Sequence, residues 1–196
     1  MRLRFLQSAM AFESWPVTGM PEVALFGRSN AGKSSLINAL AQARVARISR
    51  EPGRTRTLNF YAGDGIVLVD LPGYGYSHMS KEQQRRQTAV LERYAERRAA
   101  LCGAVQLVDI RHRPSELDIL WHDFLLRRGE PLLLLLGKSD QVGRGSWRSR
   151  EREIVETLGT DAPVVFWSAR TLEGKRALET FLDEIRKRQA SLGQFT

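Results

Sequence analysis

The stretch GRSNAGKS at residues 27–34 constrains the fold more than any other part of the chain. It matches G-x-x-x-x-G-K-[ST]. A short apolar run at 23–26 precedes it, and Leu36, Ile37, Leu40 and Ala41 follow at helical spacing. Strand, glycine-rich turn and helix in that order make a phosphate loop. Main-chain N–H groups of Gly27, Arg28, Ser29, Asn30, Ala31 and Gly32 are then placed to close around the phosphates of a nucleotide, and the helix dipole adds positive potential. Lys33 is expected to reach the β- and γ-phosphates, Ser34 to bind Mg²⁺ through its hydroxyl, and Ser35 to complete the nucleotide-binding run. A plain glycine-rich turn would account for the glycines but not for the strand and helix on either side.

The rest of the chain repeats that alternation. Runs at 58–62 and 66–71 flank Gly63-Asp64-Gly65, which reads as an antiparallel hairpin. Runs at 104–110, 132–136 and 164–167 are almost continuously apolar, as strands of a parallel sheet buried on both faces are. Helical spacing joins Val90, Leu91, Tyr94 and Leu101, then Leu117, Leu120, Trp121 and Phe124 after a Ser115 cap. It recurs in Ile154, Val155 and Leu158 before Gly159, and in Leu178, Phe181, Leu182 and Ile185. The expected fold is α/β: a P-loop NTPase with a mixed, mostly parallel six-stranded sheet and helices on both faces, formed by residues 1–196 as one nucleotide-binding domain. Ligands belong at the carboxyl ends of its strands.

Two further motifs choose the nucleotide. Asp70-Leu71-Pro72-Gly73 follows a strand, where a carboxylate holds Mg²⁺ through water and a glycine N–H senses the γ-phosphate. Gly137-Lys138-Ser139-Asp140 stands where [NT]-K-x-D reads guanine. The Asp140 carboxylate suits the N1–H and exocyclic amino group of guanine, and adenine offers no such donor pair on that edge. The Lys138 stem can lie along the base. After the last strand, Trp167-Ser168-Ala169 would bring backbone N–H to the guanine O6. Gly137 departs from the motif: Asn or Thr there ties the base-reading loop to the phosphate loop. A surface turn with a helix cap is the competing reading of Lys138 and Asp140, and an ATPase or kinase of another P-loop class is the competing activity.

Lys+Arg of 30 against Asp+Glu of 22 gives a net charge of +8, with Arg far outnumbering Lys. That excess suits a polyanionic partner, nucleic acid above all, although a GC-rich genome also enriches Arg. The one cysteine, Cys102, excludes an intramolecular disulfide and a cysteine-rich metal site. The longest purely apolar run, residues 132–136, is far too short to cross a bilayer, and the first residues lack a secretory pattern, so a cytoplasmic location without membrane contact is expected.

GRSNAGKSSLIN, PGRTRTLNFY, VDLPGYGY and VDIRHRPSELD together resemble the EngB (YihA/YsxC) family of bacterial GTPases. The likeness runs over nearly the whole chain. It implies a monomeric GTP/GDP-binding protein that uses Mg²⁺ and acts on precursors of the large ribosomal subunit and their rRNA, with a historical link to cell division and septation. It also implies that Gly53-Arg54-Thr55 is a switch in which Thr55 joins Ser34 and Asp70 around Mg²⁺, Thr57 being the alternative.

In the best-studied small GTPases a Gln just after D-x-x-G orients the attacking water; here those positions hold Tyr74 and Gly75, so intrinsic hydrolysis should be slow. Asn30 matches the Asn that coordinates potassium in related GTPases, an ion able to join Lys33 and Thr55 in neutralising charge during cleavage. Its simpler role is to tolerate an unusual loop backbone. A module that binds rRNA and uses GTP only to set its shape is the rival to an active GTPase. Arg85, Arg86, Arg93, Arg97, Arg98, Arg111 and Arg113 follow the second switch as a solvated face or a set of RNA phosphate contacts. Arg144, Arg148, Arg150 and Arg152 alternate with acids and read as a salt-bridged helix; His112 is too isolated for a metal, and a structural hydrogen bond suits it better.

Overall fold

The computed structural model describes residues 1–46, 57–75 and 80–193. Its strands are β1 (Arg4–Ala9), β2 (Glu22–Gly27), β3 (Leu58–Gly63), β4 (Ile66–Asp70), β5 (Leu101–Asp109), β6 (Leu132–Gly137) and β7 (Val164–Trp167). Its helices are α1 (Lys33–Ala41), α2 (Lys81–Arg97), α3 (Glu116–Arg128), α4 (Trp147–Leu158) and α5 (Lys175–Ser191). The sheet has the order β1-β3-β4-β2-β5-β6-β7. β3 pairs antiparallel with β1 and β4, and every other pairing is parallel. The fold class expected from the sequence is therefore present, with one strand more.

That extra strand is an edge. β1 shows no clean alternation of exposure, which is why periodicity does not announce it; only main-chain pairing with β3 makes it a strand. The central strands read as the sequence suggests. Val23 and Leu25 pack with Leu36, Ile37 and Leu40 of α1 and with Leu178, Leu182 and Ile185 of α5. Ala24 and Phe26 turn to the opposite face, against Leu91 and Tyr94 of α2 and Trp121 and Leu125 of α3. α4 covers β5 and β6 through Ile154 and Leu158. Alternate residues of one strand thus face two helical layers, and the strand must be apolar throughout.

The hairpin between β3 and β4 closes on Asp64 at φ 52° and Gly65 at φ 78°, the paired positive values a tight two-residue turn requires. Two details differ from the sequence reading. Leu101 opens β5 rather than closing α2, since α2 ends at Arg97. Ser115 caps α3 as expected, with Asp118 returning the bond, but Leu117 and Leu120 are exposed; the buried face is Asp118, Trp121, His122 and Leu125. Apolar spacing placed Trp121 and Phe124 correctly and Leu117 and Leu120 wrongly, because two of the buried positions are polar.

Candidate functional site

The parallel order places the ends of β4, β2, β6 and β7 along one edge of the sheet, with β5 between β2 and β6, and the loops leaving them carry the motifs. Gly27 ends β2 at φ 153°, so close to β5 that a Cβ would lie 2.7 Å from the Leu107 carbonyl oxygen. Asn30 at φ 66° and Gly32 at φ 105° bend the loop into α1. Lys33 is 7% exposed, and its Nζ donates to the Gly27 carbonyl at 2.9 Å and the Arg28 carbonyl at 3.3 Å. Burial lowers its pKa, while Asp70 and Asp118 oppose that shift.

The Ser34 hydroxyl donates to Asp70 Oδ2 at 2.6 Å. Asp70 Oδ1 is buried with no hydrogen-bond partner among the described residues, and burial raises the carboxyl's pKa against the opposing effects of Lys33 and Ser34. An orphaned buried carboxylate oxygen beside a hydroxyl is an oxygen donor set that fits a hard divalent cation. Leu71 and Pro72 are buried behind it. Gly73 then lies on the phosphate loop: a Cβ there would meet Ser29 N at 2.7 Å and Lys33 Nζ at 2.9 Å. The Ser29 N–H donates to the Tyr74 carbonyl at 2.9 Å.

Tyr74 does not present its hydroxyl to this site. The side chain is buried, stacked on Trp121, and its Oη donates to Asp118 Oδ1 at 2.9 Å. Gln106 joins the same network, donating to the Asp118 carbonyl at 2.9 Å and accepting from His122 Nδ1 at 2.6 Å. The switch positions Gly53, Arg54 and Thr55 lie outside the described residues. Thr57 is described, with its hydroxyl donating to Asn59 Oδ1 at 3.3 Å.

On the base side, Lys138 takes φ 62° and is followed by a short turn over Ser139–Gln141. Asp140 Oδ1 accepts from the Ser168 hydroxyl at 2.7 Å and Oδ2 from Arg170 Nε at 2.9 Å. The Ser168 bond and the Arg170 charge lower the Asp140 pKa and keep it an acceptor. Trp167 is buried, the Ser168 N–H donates to the Glu173 carbonyl at 3.2 Å while its hydroxyl braces the carboxylate, and Ala169 follows half-buried against the core. A Cβ at Gly137 would sit 3.4 Å from the Ala31 carbonyl oxygen, so the base-reading loop abuts the phosphate loop there with no side chain between them.

Residues 22–138 match the family model described as 50S ribosome-binding GTPase. A probable GTP-binding protein EngB of Lactiplantibacillus plantarum is 42% identical over 185 residues, covering 92% of this chain and 94% of the relative. The counterpart from Leuconostoc mesenteroides is 42% identical over 178 residues, 88% of this chain and 92% of its own. This chain belongs to the EngB family of GTP-binding proteins. A crystal structure of a probable GTP-binding protein engB overlays with a TM-score of 0.72 at 22% identity, covering 85% of this chain and 99% of that one. Era in complex with MgGDPNP and nucleotides 1506–1542 of 16S ribosomal RNA shares the fold with a TM-score of 0.68 at 20% identity, over 83% of this chain and 55% of that one.

The run of arginines that the sequence offers as a solvated face or as RNA contacts is sorted by the structure. Arg85, Arg86 and Arg97 of α2 are exposed. Arg98 is not part of that face: it grips the fully buried Glu22, which also accepts from Tyr94 Oη at 2.7 Å. Arg93 lies over the Phe12 ring. Arg148 and Arg150 pair with Glu151 and Glu153, as the alternation of charge indicates, and Arg144 pairs outside that segment with Glu173. The His112 ring is exposed, and its main-chain N–H bonds the Asp109 carbonyl at 3.1 Å. Sequence reasoning missed Asp109, Asp118 and Arg170 as neighbours of the site. The first two stand inside VDIRHRPSELD, where a carboxylate ending a strand and one at a helix start were the available signals.

Proposed function

We propose that the chain is a guanine-specific switch that hydrolyses GTP slowly in the cytoplasm, as a monomer, and acts in assembly of the large ribosomal subunit, with a link to septation. The observation that carries the reading is the convergence of two loops. Lys33 at one end and the braced, ionised Asp140 at the other frame a site that meets where Gly137 abuts Ala31. Gly27, Arg28, Ser29, Asn30, Ala31, Gly32, Lys33, Ser34 and Ser35 take the phosphates, with Gly53, Arg54 and Thr55 of the first switch and Asp70, Leu71, Pro72 and Gly73 of the second. Gly137, Lys138, Ser139, Asp140, Trp167, Ser168 and Ala169 take the base.

Ser34, Asp70 and Thr55 would hold Mg²⁺, which supplies charge neutralisation between the β- and γ-phosphates. The buried Asp70 Oδ1, without a hydrogen-bond partner among the described residues, supports that assignment. Lys33, desolvated among carbonyls, exchanges those weak acceptors for phosphate oxygens, a charge-assisted and stronger bond. Asn30 would hold K⁺ beside the same phosphates.

Competition between GTP and ATP for the protein tests the base assignment. GTP should win by at least about a hundredfold, since adenine leaves Asp140 unsatisfied. Asp140→Asn should move the preference to xanthosine triphosphate; a variant that still prefers GTP contradicts the reading.

The engagement of Tyr74 with Asp118 favours one rival specifically, the rRNA-binding module in which GTP sets shape and hydrolysis is marginal. Turnover measured with and without large-subunit particles separates the two: stimulation above the basal rate supports the GTPase, and no stimulation supports the module.

A further inference from the structure

We propose that Asp109 is a positioning residue for the base-reading loop, replacing the side-chain tie that Gly137 cannot make. The inference rests on the guanine assignment of Lys138 and Asp140. Asp109 ends β5 directly opposite Gly137 in the parallel register with β6, and the Ile110 N–H donates to the Gly137 carbonyl at 3.1 Å. Its Oδ2 accepts from Lys138 Nζ at 2.8 Å and from Arg111 at 2.7 Å; its Oδ1 accepts from Arg111 Nε at 2.9 Å and from the Arg111 main-chain N–H at 3.1 Å. Arg111 in turn reaches Gln141 Oε1 at 2.6 Å. One carboxylate thus fixes Lys138 directly and Gln141 through Arg111, and those two residues bracket Asp140.

The loop needs such a brace. Lys138 sits in the left-handed region at φ 62°, a conformation that persists only where its surroundings hold it. The position before it is glycine, where a Cβ would lie 3.4 Å from the Ala31 carbonyl and 3.6 Å from the Val108 carbonyl, and it has no side chain to bond across to the phosphate loop. β5 supplies the connection instead. Its Leu107 pairs with Gly27 of the phosphate loop, and Asp109, two residues on, holds the base-reading loop. With its Nζ anchored on Asp109, Lys138 offers its aliphatic stem to the plane of the base. Burial alone would raise the Asp109 pKa, but the bonds from Arg111 and Lys138 outweigh it and hold the carboxyl well below the usual range, so the anchor stays charged.

The test is release of a fluorescent GDP from the full chain, together with the ratio of GDP to ADP affinity. Asp109→Asn keeps the shape and removes the charge; release should quicken about tenfold, the cost of one charge-assisted bond, and the GDP:ADP ratio should narrow. Gly137→Asn in that background should restore slow release, because its side chain starts 3.4 Å from the Ala31 carbonyl and supplies the missing tie. A purely structural Asp109 would lower thermal stability with release and ratio unchanged and without rescue; that result overturns the proposal. If Asp109→Asn does not fold, Arg111→Met at a side chain 36% exposed removes the arm to Gln141 and must itself quicken release, or the proposal fails. Asp140→Asn separates the two levels. If it abolishes guanine preference while Asp109→Asn leaves release unchanged, only the positioning role falls; if it leaves preference intact, the guanine assignment itself falls.

Discussion

Asn30 holds φ 66° in the middle of the phosphate loop, a conformation Asn tolerates better than most residues, so backbone shape alone accounts for its identity. A role as potassium ligand makes a separate demand: hydrolysis should be several-fold faster in potassium than in sodium at equal ionic strength, because general screening acts alike in both salts. Asn30→Ala should remove that difference while GDP binding stays nearly intact, and equal wild-type rates in both salts, with and without ribosomal particles, would leave Asn30 as a loop-shaping residue. His122 carries a different expectation. It is fully buried, and burial lowers its pKa below 6.5, so the unfolded chain takes up a proton there that the folded chain refuses. Its contribution to stability is therefore flat above about pH 6.5 and falls as the pH drops below that value. Thermal unfolding between pH 7.5 and 5.5 should show the slope, and His122→Gln, whatever its absolute stability, should flatten it; an unchanged slope excludes His122 as its source. Lys33, Ser34 and Asp70 were legible in the sequence because each belongs to a motif of fixed spacing. Asp109 and Arg170 were not, since their partners stand 29 and 30 residues away in the chain and meet them only after the strands align.

At the scale of elements, the segment after β4, proposed as the second switch, reaches the loop before α1 through Gly73 and is moored to α3 through Tyr74. Gly73→Ala would place a methyl group 2.7 Å from the Ser29 backbone, where neither side is a flexible side-chain end. The loops must part, so GTP affinity should fall by at least about tenfold, roughly the scale of one lost charge-assisted contact. Titration of the variant with a non-hydrolysable GTP analogue checks this, and wild-type affinity would show that the contact is not needed. The mooring itself was hidden from sequence reasoning for a physical reason. α3 was read by its apolar spacing, but Asp118 and His122 occupy buried positions that a hydrophobic pattern assigns to the outside. The strands were legible because burial on both faces leaves an unbroken apolar run; β1 was not, because an edge strand is defined by its pairing more than by its side chains.

Across the whole molecule the net charge is +8; Arg98, Arg148 and Arg150 are engaged with acids, while Arg85, Arg86 and Arg97 are exposed on α2, Arg86 beside Glu82. On the proposed function, a basic face beside the second switch would couple the nucleotide to phosphate contacts on RNA, with an affinity that weakens as salt rises. The family match and the sequence relatives fix what kind of protein this is, while the geometry adds how the two loops proposed to bind the nucleotide are held against one sheet. Sedimentation of the protein with large-subunit precursor particles, in the presence of a non-hydrolysable GTP analogue, GDP or the corresponding ATP analogue, tests the central claim most directly. The account predicts retention on the particles with the GTP analogue and release with GDP and the ATP analogue; equal retention with all three, or none with any, would contradict it.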